Sequence, residues 1–177
     1  MVAKMVTLVS RQGRELQRYS STGGRIVVGC IPYRVNGKIS CSDDVDKVME
    51  VLVISSQKGN GMMFPKGGWE LDETVKEAAS REALEEAGVQ GKIERRLGKW
   101  NYMSKSHNIF YEGILYPLNV TDEMAHWPEM QVRNRRWVAV AEAREGCPHQ
   151  WMIEALDRLL NRLKKPLKKR KTSACGF

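Results

Sequence analysis

Three glutamates carry the most distinctive chemistry in this chain. Glu82, Glu85 and Glu86 stand at i, i+3 and i+4, which on an α-helix places them on one face. Clustered carboxylates make a hard oxygen site suited to Mg²⁺ or Mn²⁺ and unsuited to soft metals. The three lie within GGWELDETVKEAASREALEEAGV, residues 67–89, where seven of 23 positions are acidic. Charge density alone does not establish a metal site. Like-charged i,i+4 pairs on an exposed helix cost only about 0.2–0.5 kcal/mol each, so a solvated acidic face accounts for the cluster equally well.

The flanking pattern supplies the elements that must position these groups. RIVVGCIPYRV (25–35) is β-branched and apolar and reads as a strand, followed by a polar, turn-rich loop, NGKISCSDDVDK (36–47). VMEVLVISS (48–56) reads as a second buried strand and QKGNG (57–61) as a turn. Thr74 and Glu77 have the spacing of a capping box, which starts a helix at Thr74. Ala78, Ala79, Ala83, Leu84 and Ala87 give that helix a small apolar face, and Gly88 sits where a left-handed cap ends it. GKIERRLGKWNYMS (91–104) and NIFYEGILYPLNV (108–120) read as two strands joined at the polar SKSH. RRWVAVAEA (135–143) is a strand running into a helix start, and WMIEALDRLLNRLKK (151–165) repeats apolar residues at helical spacing. Strands interspersed with two good helices imply an α/β layered domain.

Spacing separates the two readings of the acidic stretch. Gly67, five residues, Glu73, seven residues, Arg81-Glu82, then Glu85-Glu86, one residue, and Gly88-Val89 resembles the Nudix box at every charged and glycine position. The resemblance implies the Nudix fold, a mixed β-sheet sandwiched between α-helices, and a hydrolase of diphosphate linkages that uses Mg²⁺ or Mn²⁺. By motif position Glu82, Glu85 and Glu86 would hold the metal, and either Glu85 or Glu86 would polarise the attacking water. Glu73 would pair with Arg81 and fix the loop against the helix. Many members of the family use a further acid outside the box, for which Glu112 is a candidate.

Beyond the box, GCIPYR, VLVISSQKG, FPKGGWELDE and EEAGVQGKI resemble the diphosphoinositol polyphosphate phosphohydrolases, and LVSRQGRELQRY and LGKWNYMSKS look like their plant branch. The implied substrates are inositol pyrophosphates, with diadenosine polyphosphates as a second class. A ring crowded with phosphates needs many cationic and amide donors. Gly67 and Gly68 let the backbone approach a phosphate closely, and Ser55 and Ser56 end a strand where hydroxyls can meet its oxygens. Lys66, Arg18 and Arg25 match cationic positions of the subgroup; Lys105, His107, Arg133 and Arg135 are further candidates. Lys66 departs from the animal members, which carry glycine there, and this bears on which ring position is attacked. Two other readings stand beside this one: a pyrophosphatase of ADP-ribose or NADH, and a non-catalytic module that binds inositol phosphate or RNA. An intact set of three glutamates argues against the last.

Composition bounds the rest. At 177 residues the chain suits one domain, and no apolar run approaches the roughly 18 residues of a membrane span. Cys30, Cys41, Cys147 and Cys175 form no CxxC pair, so neither a structural zinc site nor a disulfide framework is expected. The net charge of +8 is local: residues 158–171 carry eight Lys and Arg and no acid, which leaves 21 of each sign in residues 1–157. We therefore expect an N-terminal arm (1–17), a Nudix domain (18–163) and a basic, disordered tail (164–177). The tail has the look of a nuclear localisation signal and is the one route to nucleic acid. A monomer in the cytoplasm or nucleus is expected; the five basic residues against one acid in the first 25 also suit a mitochondrial transit segment.

Overall fold

The computed structural model describes residues 9–37, 44–56, 59–104 and 108–172. The chain runs β1 (Arg25–Val35), α1 (Val45–Val48), β2 (Met49–Ser56), β3 (Gly59–Met63), β4 (Lys66–Gly68), α2 (Val75–Ala87), β5 (Val89–Ile93), β6 (Gly98–Met103), β7 (Phe110–Glu123), β8 (Arg135–Ala139), α3 (Val140–Gly146) and α4 (Gln150–Thr172). One sheet has the order β3-β2-β1-β7-β5, with β4 on β1, β6 on β7 and β8 on β2. It is mixed, because β1 and β7 run parallel over nine paired positions while the other pairs are antiparallel.

β1 and β2 are apolar on both faces because both faces are covered. Ile26, Val28, Cys30, Leu52, Ile54, Ile114 and Leu118 pack against Ala78, Ala79, Ala83 and Ala87 of α2. Ile31, Tyr33, Val51, Val53 and Leu115 pack on the other side against Trp151, Met152, Ala155, Leu156 and Leu159 of α4. The sheet is thus sandwiched between helices, as the Nudix resemblance implies. Alanines on α2 let that helix lie close to the sheet, which brings its polar side within reach of β4.

Several boundaries differ from the sequence reading. The stretch 91–104, read as one strand, is two: β5 ends at Ile93 and β6 begins at Gly98. Between them the chain is held to β7 by hydrogen bonds from the Glu94 and Leu97 N–H groups to the Pro117 and Leu115 carbonyls. A turn of helix, α1, occupies the end of the expected loop, and β3 takes part of the expected turn. β4 was not anticipated; its three residues pair with β1 in the register Val27↔Gly68, Val28↔Gly67, Gly29↔Lys66. The last helix continues past residue 163, where the domain was expected to end, and carries the backbone through Thr172. No helix among the described residues is long and apolar enough to cross a membrane.

Candidate active site

α2 is fixed at both ends. Thr74 Oγ1 accepts the Glu77 N–H at 3.3 Å and the Glu77 carboxylate accepts the Thr74 N–H at 2.7 Å, a reciprocal capping box. Gly88 closes the helix at φ +62°, and a Cβ there would lie 2.8 Å from the Trp127 side chain. Both the left-handed backbone and the crowding require glycine. Between these caps Glu82, Glu85 and Glu86 are each less than a tenth exposed, so the solvated-helix reading fails for them.

Two arginines hold the three carboxylates. Arg81 donates through Nε and Nη2 to the two Glu73 oxygens at 2.9 and 2.7 Å, and through Nη2 to the Gly68 carbonyl at 2.9 Å. Its Nη1 reaches Glu82 at 2.6 Å and Glu85 at 3.4 Å. Arg133 donates to Glu86, to Glu129 at 2.6 Å and to the Ser55 carbonyl at 3.2 Å. The Lys66 N–H donates to the other Glu86 oxygen at 2.9 Å. Gly67 is needed for a separate reason: a Cβ on it would overlap the Glu82 carboxylate.

The electrostatics of this cluster favour a further cation. Burial, reinforced by Glu86, pushes the Glu82 carboxyl up to about 8. Burial also pushes Glu86 up to about 7, against the pull of Arg133 and Lys66, and raises Glu85. The donors are oxygens only, the type that Mg²⁺ and Mn²⁺ prefer. Among the described residues no three His, Cys, Asp or Glu side chains form a ready metal cage, and Arg81 and Arg133 engage oxygens of the three glutamates. The residues therefore fit a divalent cation in chemistry, and the arginines occupy one oxygen of each glutamate.

The cluster opens onto a cleft of about 1290 Å³. Arg25, Lys66, Arg81 and Arg133 line it together with the acids Glu70, Glu82, Glu85, Glu86 and Glu129. An aromatic group lines it as well. Tyr102 of β6 stacks on Trp151 of α4 at 4.8 Å and on Tyr111 of β7 at 5.4 Å, both at 12°, and Trp100 lies 6.2 Å from Trp151.

The substrate-contact candidates divide by position. Arg25, Lys66, Gly67, Gly68 and Arg133 line the cleft; burial holds the Lys66 ammonium below its ordinary value. Arg18 is turned to the loop before α2, donating to the Glu70 and Leu71 carbonyls and lying 4.5 Å over the Trp69 ring. Arg135 lies outside the cleft: it caps α2 by donating to the Ala87 and Gly88 carbonyls and stacks 3.9 Å over Trp127. Ser55 accepts the Asn134 N–H at 3.1 Å, and neither it nor Ser56 lines the cleft. Lys105 and His107 lie outside the described residues. Glu112 pairs with Lys99 at 2.7 Å on the β6–β7 hairpin and does not reach the cleft.

Several residues at the cleft were not anticipated, among them Arg11, Gln17, Glu70 and Glu129. Arg11 from the N-terminal arm pairs with Glu70 and with Asp72 at 2.9 Å, and its N–H faces Glu85 at 3.4 Å. Gln17 accepts from Arg25 at 2.6 Å and packs over Gly68. Glu70 and Glu129 are acids at the cleft, whereas Glu112 is not. No local periodicity marks any of them; only the WPEMQ turn signal around Glu129 sets that residue apart in sequence.

Comparison with known proteins agrees with this geometry. The NUDIX domain model matches residues 25–159. Nudix hydrolase 17, mitochondrial, of Arabidopsis thaliana is 57% identical over 166 residues, covering 94% of this chain and 90% of that protein. Diphosphoinositol polyphosphate phosphohydrolase 2 of Rattus norvegicus is 31% identical over 149 residues, covering 82% and 76%. A solved Ap4A hydrolase of C. elegans superposes with a TM-score of 0.57 at 23% identity, covering 78% of this chain and 97% of that one, a likeness of fold. The family match takes in the sheet, α2 and every glutamate of the cleft, and the chain belongs to the Nudix hydrolase family, which acts on phosphoanhydride bonds.

Proposed function

We propose that this Nudix hydrolase is a divalent-metal-dependent phosphohydrolase that cleaves the diphosphate groups of inositol pyrophosphates. The observation that carries the reading is the trio Glu82, Glu85 and Glu86, buried at one cleft that Arg25, Lys66, Gly67 and Gly68 also line. The cleft, at about 1290 Å³, exceeds the roughly 300–1,000 Å³ of ordinary small-molecule sites, as a ring bearing many phosphates requires. The likeness to the rat phosphohydrolase supports the same substrate class.

Glu82, Glu85 and Glu86 would hold Mg²⁺ or Mn²⁺, which neutralises diphosphate oxygens and lowers the pKa of water at the site. The remaining work falls to the chain. Gly67 and Gly68 keep β4 bare so that phosphate oxygens can approach the backbone. Lys66 and Arg25 orient the outer phosphates by charge-assisted hydrogen bonds. Arg133 meets the developing charge on the attacked phosphate, exchanging its contact with Glu86 for one with substrate. Glu85 or Glu86 accepts the proton of the attacking water.

A second substrate class has its own supporting observation. Inositol has no π face, but the Trp100–Tyr102–Tyr111–Trp151 wall offers a stacking surface for a nucleobase. Diadenosine polyphosphates combine such bases with a phosphoanhydride chain, so we infer that they are also hydrolysed. For compartment, the Arabidopsis relative at 57% identity is named mitochondrial and the N-terminus here is basic, so the mitochondrion is the first compartment to test by import assay.

The experiment is a panel. Inositol pyrophosphates, diadenosine polyphosphates, ADP-ribose and NADH are incubated with Mg²⁺ and the wild-type protein, alongside Glu86→Gln. Turnover of inositol pyrophosphates that Glu86→Gln abolishes is the expected result. Turnover confined to ADP-ribose or NADH would replace the reading with a nucleotide pyrophosphatase.

A further inference from the structure

A second concavity lies away from the hydrolytic cleft and shares no residue with it. It has a volume of about 790 Å³ and is formed where the 94–97 connection between β5 and β6 faces the first turn of α2. Four cations line it, Lys76, Lys92, Arg95 and Arg96, against the single carboxylate of Glu94. That carboxylate is turned to the Tyr33 hydroxyl, which donates to it. None of the four cations makes an ion pair or a side-chain hydrogen bond among the described residues. Lys76 also stands in the first turn of α2, where a positive charge opposes the helix dipole.

The connection that presents the two arginines is pinned rather than loose. Arg162 of α4 donates to the Arg95 carbonyl and, at 2.9 Å, to the Arg96 carbonyl; Arg158 donates to the Leu97 carbonyl at 3.2 Å. β7 holds the same stretch through the Pro117 and Leu115 carbonyls. The floor is Tyr116, whose ring is largely buried while its hydroxyl stays accessible and makes no hydrogen bond among the described residues. An accessible hydroxyl at the floor of the groove can meet a ligand oxygen directly. Unpaired like charges around one hollow repel each other, and an anion relieves that repulsion; a backbone already fixed reduces the ordering cost of binding.

We propose that this groove is a second anion site, which takes a small polyphosphorylated ligand through Lys76, Lys92, Arg95, Arg96 and the Tyr116 hydroxyl. Its volume lies within the range of small-molecule pockets, and its cations surround a hollow rather than forming the extended stripe that tracks a nucleic-acid backbone. The inference does not depend on which substrate the cleft hydrolyses.

The test titrates inorganic tripolyphosphate into the full chain in EDTA and follows backbone amide shifts by NMR. The expected result is a saturable shift at residues 92–98 and at Lys76, with affinity weakened about tenfold or more in R95E/R96E. The single variant K92E gives the same trend if the double variant melts early. Turnover of the best substrate in the panel stays within about twofold in either variant, so loss of all panel turnover in the wild type would count against the proposed function and not against this site. Shifts confined to Lys66–Gly68, affinity unchanged in R95E/R96E, or tighter binding of a single-stranded RNA than of tripolyphosphate would each overturn it.

Discussion

Arg81 grips Glu73 with two hydrogen bonds, at 2.9 and 2.7 Å, from eight residues further along the chain. The same guanidinium reaches Gly68, Glu82 and Glu85, so one side chain ties the loop before α2 to two of the three clustered glutamates. Both partners of the pair are largely buried, at 13% and 6% side-chain exposure. Removing the cation leaves Glu73 buried and unpaired, which typically costs about 3–5 kcal/mol. Arg81→Ala is therefore expected to lower the urea midpoint by that equivalent. Arg81→Lys recovers only part of the loss, because an ammonium cannot reproduce the planar fork. Equal stability of Arg81→Lys and wild type would refute the role given to the fork.

The buried carboxyls make stability depend on pH and on metal. Glu82 and Glu86 sit at about 8 and about 7 in the fold, raised from an ordinary value of 4.5. The native state thus holds these protons more tightly than the unfolded chain does. Their contribution favours folding below about pH 4.5 and is lost as pH rises through 7 and 8. A divalent cation competes with the same protons and removes the penalty of ionisation. Thermal melts should show that Mg²⁺ raises Tm more at pH 8 than at pH 5; an equal gain at both would separate cation binding from these glutamates.

Glu86→Gln tests the chemistry apart from the fold. Loss of the proton acceptor or of one metal oxygen is expected to lower kcat by about 10²–10⁴. The amide carries no buried charge and Arg133 keeps Glu129 as its partner, so the metal-free variant should melt close to wild type at pH 8. A parallel fall in activity and Tm would point to a structural role instead.

Tyr102 separates the two substrate classes. Stacking a base on an aromatic ring contributes about 1–3 kcal/mol, or about tenfold or more in affinity. Tyr102→Leu keeps an apolar group between Tyr111 and Trp151 while removing the central ring that aligns the stack on which a base would extend. It is expected to raise KM for diadenosine polyphosphates about tenfold and leave inositol pyrophosphates within about twofold. A uniform change across both classes would assign the wall to packing alone.

Local patterns carried α2 from end to end. The Thr74–Glu77 box, the alanine face and Gly88 each act within one or two helical turns, and the structure shows all three. The continuous apolar run of 25–35 likewise emerged as the central strand β1, because a strand covered on both faces has no alternation to obscure it. Boundaries were less legible in 91–104, where the pinned 94–97 connection splits one apolar-polar pattern into two strands. The break is held by α4 and β7, which are distant in sequence.

The same distinction governs the site. Sequence by itself determined the spacing of Glu73, Arg81, Glu82, Glu85 and Glu86, and hence the family and the class of bond attacked, since those residues share one loop and one helix. Only tertiary structure decided which cations reach the cleft. Arg133 and Arg135 have the same parity, yet β8 begins at Arg135, so strand alternation does not extend to Arg133. The first arginine meets Glu86, while the second is drawn to the carbonyls at the end of α2. Arg11, Glu129 and the aromatic wall likewise come from separate elements. Helix and strand periodicities are set by neighbours along the chain, whereas the facing of side chains across a cleft is set by sheet register and helix packing.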